Sequence, residues 1–313
     1  MRRVFAVLAV SAVIVLGLVS TGGPAQATYP GRNGLIAFGL DVGNGFQVYT
    51  MRPNGHELRR VTDVEGDAIV PDWSLDGHRI VFEFDHPYPG GCSIDLMNAD
   101  GSGMIDLTGQ RTGCEQNPSF TPDGRRIVFV AQRRGRCASA IWSMDLGGHH
   151  RHLIAAAPTG LGAIDPNVSP DGTTLSFVAE TTIERRALYL VNMDGSHLRQ
   201  IVPFSYDLGT RYDWAPDGEH LVFTTQTFGT SNLATVRPDG SDVRSLTFSR
   251  TPDVTFGGGA FSPDGRWIVF REVDHGIPAW YRIRPDGGEL HEIVAMPDAV
   301  QNPGGVDWGP AAS

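Results

Sequence analysis

The stretch Gly259-Ala260-Phe261-Ser262-Pro263-Asp264-Gly265-Arg266-Trp267-Ile268-Val269-Phe270 sets a Pro-Asp-Gly tripeptide between two apolar runs. Pro presets φ, Asp bonds its own downstream backbone and Gly accepts positive φ, so the tripeptide reads as a tight turn and its flanks as strands. Near-copies recur along the chain. The small residue ahead of the turn is Ser74, Thr121, Ser169, Ala215, Ser262 and Gly309, at steps of 47, 48, 46, 47 and 47 residues. So regular a period is the mark of a repeat architecture. The residue just before is apolar every time (Trp73, Phe120, Val168, Trp214, Phe261, Trp308), and each copy has a second strand ending in Phe38, Phe82, Phe129, Phe177, Phe223 or Phe270.

A third strand follows in each copy, as in Val48–Met51, Ile94–Met97, Ile141–Met144 and Leu188–Val191, and runs into a second tight turn such as Asn54-Gly55, Asp100-Gly101 or Asp239-Gly240. Asn-Gly and Asp-Gly between strands are strong hairpin signals. A short fourth strand ends the copy, as in Leu58–Thr62, Ile105–Thr108 and Val243–Thr247. Four antiparallel strands in each of six copies describe an all-β, six-bladed β-propeller over residues 28–313. The chain ends test this reading. Val306-Asp307-Trp308-Gly309-Pro310 is a first strand with no second, while the segment from Pro30 to Gly34 enters a second strand at once. The C-terminal strand is therefore expected to pair with the N-terminal blade and close the ring, leaving no radial edge.

The repeat, (Trp/Phe)-Ser-Pro-Asp-Gly-x-x-Ile-x-Phe, then a strand, Asp-Gly and Leu-Thr, resembles that of TolB-like six-bladed propellers, a relative of the WD-type repeat. The resemblance implies the fold over the whole chain after residue 27. The family's namesake is a periplasmic, non-enzymatic scaffold of a cell-envelope complex that also carries an N-terminal α/β domain. Here only Thr28 and Tyr29 separate the expected cleavage site from the first blade, so that domain, and with it the namesake's partners, is not expected.

Arg2-Arg3, an apolar run from Val4 to Val19 and Ala25-Gln26-Ala27 read as a secretory signal peptide cleaved after Ala27. The run is shorter than the roughly 20 residues a spanning helix needs, so no membrane span is expected in the mature, exported chain. The formal charge is -10, and -12 once Arg2 and Arg3 leave, with no Lys anywhere. That balance argues against nucleic acid, whose phosphates require a basic stripe. Three cysteines in an exported chain allow one disulfide. Cys92–Cys114 is the expected pair, one ahead of a third strand and the other in the crossing to the next blade; Cys114–Cys137 is the alternative.

No G-x-S-x-G or H-E-x-x-H motif is present. The run His149-His150-Arg151-His152 falls in a hairpin turn, where its side chains diverge around an Arg, so no metal or other cofactor is expected. Asp76, Asp123, Asp171, Asp217 and Asp264 share one turn position and read as structural. The expected function is that of a monomeric, non-enzymatic binding or scaffold module for a protein or glycan; the alternative is an enzyme acting on polysaccharide or peptidoglycan fragments. Binding is assigned to the face carrying the second connections and the blade crossings, read as longer than the two tight turns. Asp85-His86 and Asp274-His275 occupy matching places after the second strands of the blades flanking the shared one, whose own loop offers Asp41. With Asp67 and Arg211 from the crossings they would rim an acidic cleft for a cation or polar ligand.

Overall fold

The computed structural model describes residues 31–312 except 42, 44, 88–89, 110–112, 134–138, 227–229, 250, 252 and 297–303. Residues 1–27, read from sequence as a signal peptide, and Cys137 lie outside the described residues. Blade 1 holds β1 (Asn33–Asp41), β2 (Phe46–Met51) and β3 (Arg59–Arg60). Blade 2 holds β4 (Asp67–Trp73), β5 (Arg79–Asp85), β6 (Cys92–Asn98) and β7 (Ile105–Asp106). Blade 3 holds β8 (Gly113–Phe120), β9 (Arg126–Arg133), β10 (Ser139–Asp145) and β11 (His152–Ala156). Blade 4 holds β12 (Gly162–Val168), β13 (Thr174–Glu180), β14 (Arg186–Asn192) and β15 (Arg199–Val202). Blade 5 holds β16 (Leu208–Trp214), β17 (Leu221–Thr225), β18 (Asn232–Val236) and β19 (Arg244–Ser245). Blade 6 holds β20 (Val254–Phe261), β21 (Ile268–Asp274), β22 (Ile277–Ile283) and β23 (His291–Ala295), and β24 (Gly304–Pro310) returns to blade 1. Each blade is one four-stranded antiparallel sheet, and blade 1 runs in the order β24-β1-β2-β3. The ring is a six-bladed propeller closed by its C-terminal strand, as the complementary chain ends imply.

The repeat motif explains both the turn and the core. In the first turn of blade 2 the Ser74 hydroxyl donates to Asp76 Oδ1 at 2.6 Å, Asp76 Oδ1 accepts the His78 N–H at 3.0 Å, and Ser74 Oγ accepts the Arg79 N–H at 2.9 Å. Thr121–Asp123, Ser169–Asp171 and Ser262–Asp264 repeat the 2.6 Å hydroxyl–carboxylate bond. Ala215 has no hydroxyl, and Asp217 there accepts the Glu219 N–H. These aspartates form the turns. The phenylalanine ending the repeat, Phe38, Phe82, Phe129, Phe177, Phe223 and Phe270, is 0% exposed in all six blades. The buried apolar side chains fall into clusters that each straddle two neighbouring blades, including Phe38 and Trp308 of blade 1 with Trp280 of blade 6.

The outermost strands are shorter than the sequence suggests in three blades. β3, β7 and β19 have two residues each because a threonine hydroxyl takes over from the ladder: Thr62, Thr108 and Thr247 Oγ1 accept the N–H of Val48, Ile94 and Leu233 at 2.8, 3.0 and 2.9 Å. Blades 3, 4 and 6 have Ala156, Val202 and Ala295 near the corresponding place, and their outer strands run to five, four and five residues. A second difference concerns the connections. The loop between β21 and β22 is a two-residue turn, His275-Gly276, with φ of 48° and 84°, so the second connection is not longer in every blade.

Candidate functional site

The innermost strands β4, β8, β12, β16, β20 and β24 line the ring's axis, and all six bend at the same repeat position. The third residue before the apolar position that ends the strand's core run (Val70, Asn117, Asp165, Arg211, Gly258, Gly305) has φ between 50 and 76°, and the strand pairing slips there. This is a β-bulge, the device that re-aims side chains at a rim. Positive φ is free for Gly258 and Gly305 but costs Val70, a β-branched residue. The sequence signal was Pro71, Pro118 and Pro166 at one shared position, since Pro inside a strand marks a bulge.

Below the bulge the channel is closed by aspartates. Asp307 Oδ2 of blade 1 accepts the Trp73 N–H of blade 2 at 2.7 Å, Asp72 Oδ2 of blade 2 accepts the Phe120 N–H of blade 3 at 2.8 Å, and Asp213 Oδ2 of blade 5 accepts the Phe261 N–H of blade 6 at 2.8 Å. Each carboxylate thus pins the next blade. Where the preceding blade offers Asn167 or Ala260 instead, the next tryptophan turns its N–H to its own aspartate: Trp214 to Asp213 Oδ1 at 2.8 Å, and Trp308 to Asp307. The axial cavity among these residues is about 50 Å³, room for one or two waters. Burial in so narrow a space raises Asp72 well above the ordinary carboxylate range, with the Asp307 charge adding to it, and pushes Asp307 up to about 7, with Asp213 adding.

Above the bulge, toward the face of the second connections and crossings, the mouth is polar on one side only. Arg211 Nη1 pairs with Asp165 Oδ1 at 2.6 Å, and Asp165 N donates to Asn117 Oδ1 at 3.4 Å. Glu83, 2% exposed, accepts the Asn117 N–H at 2.9 Å and the Gln116 Nε2 at 3.2 Å. Gly258, Gly305 and Val70 form the other, apolar side. Burial lifts Glu83 to about 7, opposed by the Asn117 N–H and the Arg211 charge and helped by Asp85. Asp85 is also raised, by burial first and then by Asp67, and it hydrogen-bonds Glu83.

The seven residues expected to rim a cleft separate into four groups. Asp67 and Asp85 are cross-strand partners in β4 and β5. Asp67 Oδ1 accepts the Phe46 N–H at 2.7 Å, tying the hairpin of blade 1 that Asp41 caps through the Gly43 N–H at 2.7 Å. Asp67 and Arg211 sit in strands β4 and β16, not in crossings; Arg211 occupies the bulge. His86 packs on Phe84 with ring centres 4.3 Å apart and bonds Ser93 Oγ at 2.9 Å. Ser93 donates to Asp95 at 2.7 Å and is 0% exposed, so this Asp–Ser–His chain presents no nucleophile. Asp274 and His275 bond each other at 2.6 Å on an exposed turn, which raises the His275 pKa through the Asp274 hydrogen bond. Sequence reading missed Glu83, Asn117 and Asp165, which complete the polar arc.

Cys92 and Cys114 form a disulfide with Cα atoms 4.7 Å apart, joining blades 2 and 3 beside this arc. It closes a loop with a sequence separation of 22, and reducing it should lower stability by about 3 kcal/mol in the chain-entropy view. Denaturant midpoints with and without a phosphine reductant measure that loss. A second, larger cavity of about 600 Å³ lies on the tight-turn face between blades 5 and 6, with Gly31 in its wall. Its aspartates are already engaged, Asp264 by Ser262 and the Arg266 N–H and Asp286 by the Gly288 N–H. Among the described residues no helix is long and apolar enough to cross a membrane.

Residues 20–208 match the family model described as "TolB beta propeller domain". A protein TolB homolog of Chlorobium luteolum is 30% identical over 190 residues, 58% of this chain and 40% of that protein. An uncharacterized peptidase, YuxL, of Bacillus subtilis is 29% identical over 117 residues, 34% of this chain and 17% of its own length. The matched stretches thus span less than half of either relative. Among solved structures, TolB from Acinetobacter baumannii superposes with a TM-score of 0.72 at 17% identity, covering 88% of this chain and 67% of that one. The period, the closed ring of six blades and the matched model agree: the chain belongs to the TolB β-propeller domain family.

Proposed function

We propose that this chain is an exported, non-enzymatic binding or scaffold module that engages a protein or glycan partner with the face of its second connections and crossings. The observation that carries the reading is the commitment of the axial carboxylates. Asp72, Asp213 and Asp307 each hold a neighbouring backbone N–H, and about 50 Å³ is far below the several hundred Å³ of a small-molecule pocket. The axis thus leaves no ligand-sized room among the described residues; the cavity of about 600 Å³ opens on the opposite, tight-turn face, where Asp264 and Asp286 are already bonded, and the exposed apolar side chains favour the other face. Ile183 and Phe248, each 75% exposed, and Ile277, 54% exposed, are the three most exposed large apolar side chains described, and all stand on that face. Export after cleavage at Ala27 is part of the proposal; N-terminal sequencing of the protein recovered outside the cytoplasm should begin at Thr28.

The enzymatic reading draws on one observation, the hydrogen-bonded Glu83–Asp85 carboxyl pair, since paired carboxyls with raised pKa values serve glycoside cleavage. Glu83, however, is 2% exposed with its oxygens already accepting from Asn117 and Gln116, so a sugar oxygen has no approach. Photoreactive residues at Ile183 or Phe248, compared with Arg125 in the first turn of blade 3, test the proposal in extracts of the parent cell envelope. The first two should capture one common partner and the third none. Capture only from Arg125, or depolymerisation of a polysaccharide by the purified chain, would overturn it.

A further inference from the structure

Cys92 opens β6 directly opposite Asp85 of β5, and Glu83 stands two residues earlier on the same face of that strand. Cys114, in β8 of the next blade, comes in from the side. One ligand atom from each of Glu83, Asp85, Cys92 and Cys114 lies within 4.8 Å of all the others. Ligands around a tetrahedral zinc, at about 2.3 Å for sulfur and about 2.0–2.2 Å for oxygen, are themselves about 3.3–3.8 Å apart. The four groups therefore need only small movements to surround one ion. Two thiolates with two carboxylates suit zinc or cadmium and not calcium or magnesium, which take oxygen alone. The Glu83 carboxylate is also oriented in advance by the Asn117 N–H and side-chain amide and by the Gln116 amide, and an entering cation would replace its hydrogen bond to Asp85.

We propose that Glu83, Asp85, Cys92 and Cys114 form a redox-gated site for one zinc-like divalent cation, shut while the disulfide stands and open in the dithiol form. Opening is a thiol–disulfide exchange with a dithiol reductant. A reductant thiolate attacks one sulfur, the Cys92–Cys114 bond breaks, two electrons pass to the protein sulfurs, and the reductant leaves as its own disulfide. The two thiols formed give up their protons to solvent as the cation enters, so binding tightens as pH rises. Because β6 and β8 belong to different blades, the ion replaces the covalent link between blades 2 and 3 with a coordinate one. Asp85 and Cys114 are half-buried and give access from the mouth, while Glu83 and Cys92 are buried. This inference is independent of the identity of any partner.

The test uses the full mature chain carrying Cys137→Ser, so that one thiol pair remains. Zinc is titrated against a chromophoric chelator, and cadmium is followed by its thiolate charge-transfer absorption, in oxidised and reduced protein. The reduced form should bind one equivalent with the cadmium–thiolate band, and the oxidised form should bind at least ~100-fold more weakly, since a disulfide offers no thiolate. Glu83→Gln with Asp85→Asn, which keeps the disulfide and can be checked for folding in the oxidised state, should weaken binding to the reduced form by at least ~10-fold, as loss of ligands does. Equal binding by both redox forms, no binding after reduction, or unchanged affinity in the double carboxamide variant would each overturn the site.

Discussion

A chain stopped after residue 303 will not form the propeller. The missing segment is β24, which pairs with β1 through Asn33↔Pro310, Ile36↔Trp308, Ala37↔Asp307 and Phe38↔Val306. It also carries Trp308, 2% exposed against Phe38 and Trp280, and the Asp307 carboxylate that pins Trp73 of blade 2. Losing one buried Trp alone costs about 3–5 kcal/mol, and losing a strand's ladder adds to that, against a total stability of about 5–15 kcal/mol for a folded domain. The truncated protein should show no cooperative melt and should elute earlier from a sizing column, as an expanded chain does, whereas Trp308→Phe should remain folded with a lowered midpoint. A truncated chain that melts cooperatively near the parent's temperature would mean the ring does not depend on its last strand.

Asp307 should divide by what replaces it and by pH. Asp307→Ala leaves the Trp73 N–H without its acceptor, a cost of about 1–3 kcal/mol, while Asn keeps a carbonyl oxygen in place. The sign of the pH dependence follows from linkage. The folded-state pKa is pushed up to about 7 from 3.8, so between those values the folded state holds more protons than the unfolded one, and stability falls as pH rises through that window. Each unit of separation is worth about 1.4 kcal/mol. Asp307→Asn removes a charge that must otherwise be buried beside Asp72 and Asp213, so it should flatten the slope between pH 4 and pH 8 and melt above the parent at pH 8. Thermal melts across that range check it; parallel curves for parent and Asn variant would show that Asp307 is not the titrating group.

The period, the turn and the closure were legible because each rests on local chemistry repeated six times: Pro-Asp-Gly cannot serve a strand interior, and Phe at one place in every copy has to be core. The site was less legible for two physical reasons. A bulge rotates the residues on either side of it, so which of Asn117, Asp165 and Arg211 point to the mouth depends on backbone geometry and not on period two. Glu83 pairs with residues more than thirty positions away, Asn117 and Gln116, and nothing local marks it out from Val130 or Val178 at the same place in blades 3 and 4. The emphasis on Asp85-His86 and Asp274-His275 came from matching loop positions, but the first histidine folds back on Ser93 and the second closes a two-residue turn.

The threonines that end the repeat in blades 1, 2 and 5 bear on how such rings meet one another. Around the circumference these blades present outer strands of two residues, too short to template a neighbouring chain, while blades 3, 4 and 6 present ladders of five, four and five residues. Lateral strand addition, whether by a partner's extended segment or by another copy during aggregation, is thereby confined to half of the perimeter. Placing Thr where Ala156 stands would blunt one more of those edges.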